Sequence, residues 1–251
     1  MNICSDDMRL CVIIPTYNNA GTLQQVVEDV CSYCQDIIVV NDGSTDATSD
    51  ILPQLPAKVV VVSYEQNKGK GHALVVGFRE AVKRGFTHAV TIDADGQHFA
   101  ADIPVLIKAT ESNKDGFVVG CRNLTEENMP RQNTFANKFS NFWFRLQTGV
   151  NLPDTQSGFR LYTLRALRGL SIITSRYEAE LEFLVYASWA GVKISSVPVR
   201  VYYPPQEERV SHFRPVYDFT RISILNTCLC VCAIVYGYPR MIVRKIARLM
   251  K

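Results

Sequence analysis

Apolar, largely β-branched runs alternating with stretches of helical periodicity fill the first half of this chain. The runs cover residues 10–15, 37–41, 59–63, 89–93 and 117–120. Between them, residues 22–33, 46–52, 71–84 and 101–112 repeat apolar side chains at helical spacing. The runs are almost continuously apolar, which is the pattern of strands covered by helices on both faces. Alternation of this kind specifies an α/β fold with a doubly wound, mostly parallel sheet. The second half is less regular. Helices are expected over 133–148, which is rich in aromatics, and over 177–190, which reads as amphipathic; strands are expected over 157–162 and 192–201. The prolines at 204 and 205 break regular structure between 202 and 209.

In an open parallel sheet the polar ends of the strands converge on one edge, where ligands bind. Those ends read PTYNN at 15–19, NDGSTD at 41–46, NKGKG at 67–71 and DADGQH at 93–98. Each has a mechanical reading. Tyr17 can stack on a base, and Asp42 can accept hydrogen bonds from a base edge. Asp46 is placed to cap the following helix. Gly69 and Gly71 let backbone approach a ligand, while Lys68 or Lys70 can meet phosphate. Asp93 and Asp95 repel one another, and a hard divalent cation relieves that repulsion. The glycine run lacks the G-x-x-x-x-G-K-[ST] spacing, and no G-x-G-x-x-G follows the first strand, which argues against an NTPase and a dehydrogenase.

In this order, VIIPTYN at 12–18, VVNDGSTD at 39–46, NKGKG at 67–71, DADGQH at 93–98, GCR at 120–122 and DTQSGFRLY at 154–162 resemble the motifs of family 2 glycosyltransferases. The likeness is to the dolichol/polyprenyl-phosphate mannosyltransferase-like subgroup and runs from about residue 9 to about residue 215. It implies a GT-A fold and inverting transfer of a hexose from a GDP- or UDP-linked sugar. It also implies that Pro15, Tyr17 and Asp42 hold the nucleotide. Asp93 would touch nucleotide or metal, and Asp95 with Gln97 would ligate Mg²⁺ or Mn²⁺ on the diphosphate, where the metal acts as a Lewis acid.

A phosphate acceptor is already a nucleophile and needs positioning cations, whereas a hydroxyl acceptor needs a carboxylate base. Arg122, Arg131 and Arg160 are expected to form an anion site, with help from Ser157. Lys70 and Arg209 are candidate contacts to the donor phosphates, with His212 and Arg214 beside Arg209. Of the acids at 178, 180 and 182, Glu182 best matches the position the resemblance gives to an acid, acting as base or orienting Arg160. His98 is expected to hydrogen-bond rather than to bind metal. At 209–215 the resemblance implies a basic, glycine-containing, serine-bearing loop; this chain has Ser211 and His212, but Val210 and the preceding acids Glu207 and Glu208 depart from that pattern.

No charged residue occurs from 222 to 239, and five Lys or Arg without an acid follow to the end. An apolar run with a cationic amphipathic tail is the pattern of a segment on an anionic leaflet. Asn226, Gly237 and Pro239 interrupt it and argue against a crossing. The chain is therefore read as a catalytic domain over 1–215 and a membrane-associating helical segment over 216–251. Met1–Arg9 has no signal-peptide pattern, so a cytoplasmic, peripheral location with reduced thiols is expected. Lys+Arg 27 nearly balances Asp+Glu 24, which argues against a nucleic-acid partner. The partners expected are a nucleotide sugar, a lipid-linked acceptor and a membrane surface; nothing in the sequence sets an oligomeric state. The sequence is also compatible with transfer to a hydroxyl of a glycan or glycolipid, and with a non-catalytic nucleotide-sugar-binding subunit.

Overall fold

The computed structural model describes residues 8–123, 131–169, 172–203 and 215–250. Seven strands form one sheet: β1 (Leu10–Thr16), β2 (Ile37–Asp42), β3 (Val60–Tyr64), β4 (His88–Thr91), β5 (Phe117–Arg122), β6 (Arg160–Thr163) and β7 (Ile194–Val199). Their order is β3-β2-β1-β4-β6-β5-β7. All neighbours pair parallel except those of β6, which runs antiparallel to both β4 and β5. The helices are α1 (Leu23–Cys31), α2 (Thr48–Ile51), α3 (Lys70–Lys83), α4 (Ile103–Ala109), α5 (Arg131–Thr148), α6 (Leu164–Leu167), α7 (Glu178–Trp189), α8 (Pro215–Cys232) and α9 (Tyr238–Leu249). This is the GT-A arrangement expected of the sequence.

Successive side chains of a strand point to opposite faces, so each strand feeds two cores. In β1, Cys11 and Ile13 join Ala73, Leu74 and Phe78 of α3. Leu10, Val12 and Ile14 join Leu23, Val26, Val27 and Val30 of α1, which recur at 3.6-residue spacing along one helix face.

One expectation changes. Helix α7 is not amphipathic: all of its residues but Tyr186 are buried, including Glu178, Glu180 and Glu182. Its outer side is covered by α8 and α9, and its inner sides meet α3 and α5. A helix enclosed on all sides loses the polar stripe that solvent would select. Cys228 and Cys232 are exposed on α8. No disulfide forms among the described cysteines.

Helices α3 and α7 touch at Gly71, where a Cβ would lie 2.2 Å from the Ala179 Cβ. Gly71→Val should therefore force the helices apart and destabilise the fold by about 1–3 kcal/mol. The expected readout is a melting temperature lower by roughly 2–4 °C for each kcal/mol. An unchanged melting temperature would mean that this contact yields freely.

Candidate active site

The chain winds from β1 outward through β2 and β3, then returns to place β4 on the other side of β1. The loops after β1 and β4 therefore diverge, which opens a crevice at the carboxyl ends of these strands. Residues 93–98 leave β4 here, and Thr22 Oγ donates to Ala94 O at 2.6 Å to hold the two loops in register. Pro15 is buried near the end of β1, and Tyr17 follows that strand at the rim, half-buried.

Asp42 closes β2. Its two carboxylate oxygens accept the backbone N–H groups of Lys68 (2.7 Å) and Gly69 (2.8 Å). The carboxylate expected at a base edge thus grips the glycine loop. Gly69 has φ +97°, and a Cβ there would lie 2.5 Å from Ser175 O, so only glycine lets the loop turn into α3.

The first residue of α3, Lys70, places its ammonium 2.7 Å from Asp93 Oδ1 and 3.0 Å from Glu180 Oε2. A free phosphate-binding lysine was expected; the structure shows one already flanked by two carboxylates. Burial would lower its pKa, but those carboxylates hold it well above the ordinary lysine value. Gly158 leaves room for the pair, since a Cβ there would lie 2.5 Å from Asp93 Oδ2 and 2.6 Å from Lys70 Nζ. Glu180 is buried, and its Oε1 has no hydrogen-bond partner.

The two acids of the DADGQH segment separate electrostatically. Burial would raise Asp93, but the Lys70 ammonium holds it below the usual carboxylate range. Burial together with the Asp93 charge pushes Asp95 up to about 6. Asp95 Oδ1 accepts the Gln97 N–H at 3.0 Å, and no cation pairs with it among the described residues. A divalent ion would relieve that uncompensated charge, so the residues present fit a metal at Asp95, Gln97 and the second oxygen of Asp93. No cluster of three His, Cys, Asp or Glu forms a complete cage among the described residues. That suits an ion that takes part of its shell from substrate phosphates. Burial pushes His98 down to about 4, which keeps it neutral. Its ring packs 5.2 Å from that of Phe159, and its Nδ1 is buried without a partner.

Two of the arginines expected to form an anion site, Arg160 and Arg122, already have partners within the fold. Arg160 is fully buried and donates to Ser157 O (2.6 Å), Glu180 O (2.8 Å), Thr155 O (2.9 Å) and Tyr162 OH (3.3 Å). It meets the main chain of Glu180, not a carboxylate, and so stitches β6 to α7. Arg122 grips Asp154 with Nε at 2.6 Å and Nη2 at 3.0 Å. Asp154 is buried and also accepts the N–H groups of Gln156 and Ser157 and the amide of Asn137. Ser157 is buried, and its hydroxyl accepts the Phe159 N–H at 3.3 Å. Arg131 begins α5, but its side chain lies outside the described residues, as do Arg209, His212 and Arg214.

Glu182, favoured from the sequence, does not reach the crevice. Its carboxylate accepts the N–H groups of Ile173 (2.8 Å) and Thr174 (2.9 Å) and the Thr174 hydroxyl (2.6 Å). Glu180, two residues earlier and therefore on a different face of the helix, is the acid at the site. The available signal was Lys70 itself, because an ammonium buried at the start of a helix needs counter-charges. Nothing in the sequence marked Asn137.

A model of the family described as "Glycosyl transferase family 2" matches residues 11–170. The chain is 34% identical to a UDP-N-acetylglucosamine–dolichyl-phosphate N-acetylglucosaminyltransferase of Methanococcus voltae, over 78% of this chain and 87% of the relative. It is 31% identical to a polyprenol monophosphomannose synthase of Mycolicibacterium smegmatis, over 76% of each. Glucosyl-3-phosphoglycerate synthase from Mycobacterium tuberculosis, solved with Mn²⁺, UDP and phosphoglyceric acid, superposes with a TM-score of 0.67 at 19% identity, covering 90% of this chain and 78% of that one.

The Arg122–Asp154 pair sets a pH dependence. Burial would raise Asp154, but its hydrogen bond to Arg122 and that residue's charge keep it below the usual range. Its contribution is therefore complete above the unfolded value of about 4 and is lost as pH falls through the depressed folded value. Asp154→Asn should cost about 3–5 kcal/mol near neutrality, because it leaves a buried guanidinium unpaired. Denaturant titrations of both proteins should show the gap narrowing only in acid; a gap that is constant with pH would remove the ion pair as its source.

Proposed function

The chain belongs to glycosyl transferase family 2 and is a glycosyltransferase, and on that premise we propose that it transfers a hexose from a GDP- or UDP-linked sugar to a polyprenyl phosphate, with inversion. The observation that carries this reading is the crevice between β1 and β4, where Asp95 holds an uncompensated charge beside Asp93 and Glu180, which share the single ammonium of Lys70. The acceptor class is supported by the names of the Methanococcus and Mycolicibacterium relatives, which specify dolichyl phosphate and a polyprenol monophosphomannose product.

Tyr17 stacks on the base while Pro15 shapes the end of β1 beneath it. Asp42 fixes the loop 67–71, which leads the N-terminus of α3 toward the donor diphosphate, a favourable place for an anion. Lys70 holds Asp93 in position. Asp95, Gln97 and Asp93 would hold Mg²⁺ or Mn²⁺, which supplies Lewis-acid stabilisation of the leaving nucleoside diphosphate. A phosphate oxygen of the acceptor attacks the anomeric carbon from the face opposite the diphosphate, and the bond to the diphosphate breaks as the new one forms. No base is required, since the acceptor is already anionic. Arg122, Arg131, Ser157 and Arg209 are assigned to the phosphates on the resemblance to the family's motifs. The site belongs to residues 1–215, and residues 216–251 attach it to the cytoplasmic face of a membrane.

A second reading, transfer to a hydroxyl, is favoured by one feature: the unpartnered Oε1 of Glu180, which is placed to accept a proton. The two readings separate cleanly. With a phosphate acceptor, Glu180→Gln should keep transfer within about tenfold, whereas loss of a general base costs roughly 10²–10⁴-fold.

The primary experiment offers UDP- and GDP-sugars, Mn²⁺ and a total lipid extract to the purified chain, with mass spectrometry of the lipids. A glycosylated polyprenyl phosphate is expected. Asp95→Ala should reduce its formation by about a hundredfold or more; full activity in that variant would overturn the role given to Asp95.

A further inference from the structure

The aromatic face of α5 takes no part in the chemistry above, yet it continues directly into the C-terminal helices. Phe139, Phe142, Trp143 and Leu146 recur at helical spacing on α5. Phe142 is 60% exposed and Leu146 49%, and the rings of Phe139 and Phe142 pack edge-on against Trp143. Beside them, α8, a π-helical turn (Ala233–Gly237) and α9 present Val231, Val235, Ile242, Ile246 and Leu249, all more than half exposed. A contiguous apolar surface of this kind marks an interaction site.

Its charge identifies the partner. Helix α5 carries Arg131, Lys138 and Arg145 and no acid. From residue 219 to the end, no acid occurs beside six Lys or Arg. In a chain whose charges nearly balance, the apolar surface thus coincides with helices on which Asp218, near the start of α8, is the only acid. Apolar side chains fringed by cations match an anionic leaflet.

The helix Thr220–Ala247 is long and apolar enough to cross a bilayer. Its other side, however, is occupied. Asn226, Leu229, Ala233 and Gly237 are buried against the domain, and a Cβ at Gly237 would lie 2.5 Å from the Trp189 ring. Gln147 donates to the backbone and side-chain oxygens of Asn226 (3.2 and 3.0 Å), and Arg221 pairs with Glu178 of α7. Lipid cannot surround a helix fastened along its length to a globular domain.

We propose that the outer faces of α5, α8 and α9 form one surface that lies flat in the headgroup layer of an anionic leaflet, without crossing it. The inference rests on the lipid-acceptor reading for its purpose and deepens it. On α5, Asn137 holds Asp154, the partner of Arg122 at the crevice, and lies five residues before Phe142, about 8 Å along the axis. A lipid phosphate can therefore be presented to the site while its hydrocarbon stays in the leaflet.

The test uses the full chain with phosphatidylcholine vesicles, with and without phosphatidylglycerol. Flotation should require phosphatidylglycerol and weaken with salt. Brominated lipid should quench Trp143, read against a Trp143→Phe control that retains only the buried Trp189. Phe142→Asp, on an exposed position, should weaken binding about tenfold or more. Spin labels on Ile224→Cys, Val235→Cys and Val243→Cys, in a Cys228→Ser, Cys232→Ser background, should report one shallow depth. A depth that increases toward Val235 would establish a crossing and overturn the proposal. So would an absence of vesicle binding, or an unquenched Trp143 in a chain that sediments as a dimer through this face. Asp95→Ala should bind vesicles normally, so failure of the membrane surface and failure of the catalytic reading give different results.

Discussion

The ammonium of Lys70 is the charge on which the site and the packing around it depend. Three segments far apart in sequence meet there: the start of α3, the loop after β4, and α7. Two carboxylates brought this close in a buried place would repel, and one would take up a proton. With Lys70 between them, Asp93 stays ionised while Glu180 is held against the sheet. The neighbouring glycines follow from this. Gly158 makes room for the pair, Gly71 lets α7 come close enough to α3 to supply Glu180, and Gly69 turns the chain into the helix that carries the lysine. The glycines of NKGKG are therefore set by helix approach and by a buried ion pair at least as much as by any ligand.

A second buried centre supports the first. Arg160 binds three carbonyl oxygens, from Thr155, Ser157 and Glu180, so it fixes the path of the chain on both sides of Gly158 and the position of α7. Arg122 and Asp154 do the same for the turn that precedes it. A guanidinium has five donors in a rigid fork, which suits it to joining several carbonyls at once. The DTQSGFRLY segment is thus a scaffold that lies directly against Asp93 of the DADGQH loop.

The strands, their mostly parallel arrangement and the convergence of their ends were legible because both depend on local periodicity. The sequence offers different roles for Asp93 and Asp95; the structure shows that their electrostatic environments differ and that Lys70, which the sequence does not link to them, is the cause for Asp93. Spacing along a helix states which residues share a face but not which face meets the site. Glu180 and Glu182 are equally plausible until α7 is seen packed, and then one meets Lys70 while the other ties down residues 173 and 174. Arginine reads as an anion ligand in sequence because its usual buried partners, main-chain carbonyls, have no sequence signature. Arg160 was misread for that reason.

The enclosure of α7 links the chemistry to the outer surface. A helix with three acids among its first five residues would ordinarily face water. Here Glu178 pairs with Arg221 from α8, Glu180 shares Lys70 of α3 with Asp93, and Glu182 accepts hydrogen bonds from backbone and hydroxyl donors at 173 and 174. Removing α8 would expose the apolar flank of α7 and leave Glu178 without its cation, so the C-terminal helices take part in the packing of the fold as well as in the membrane attachment proposed for them. An anchor that only tethered the domain could be apolar all round. One that must also complete the core has to be two-faced, with Asn226, Ala233 and Gly237 turned inward and Val231, Val235 and Ile246 outward. The inward face thus supplies the cation for Glu178 on the helix whose Glu180 meets the lysine at position 70.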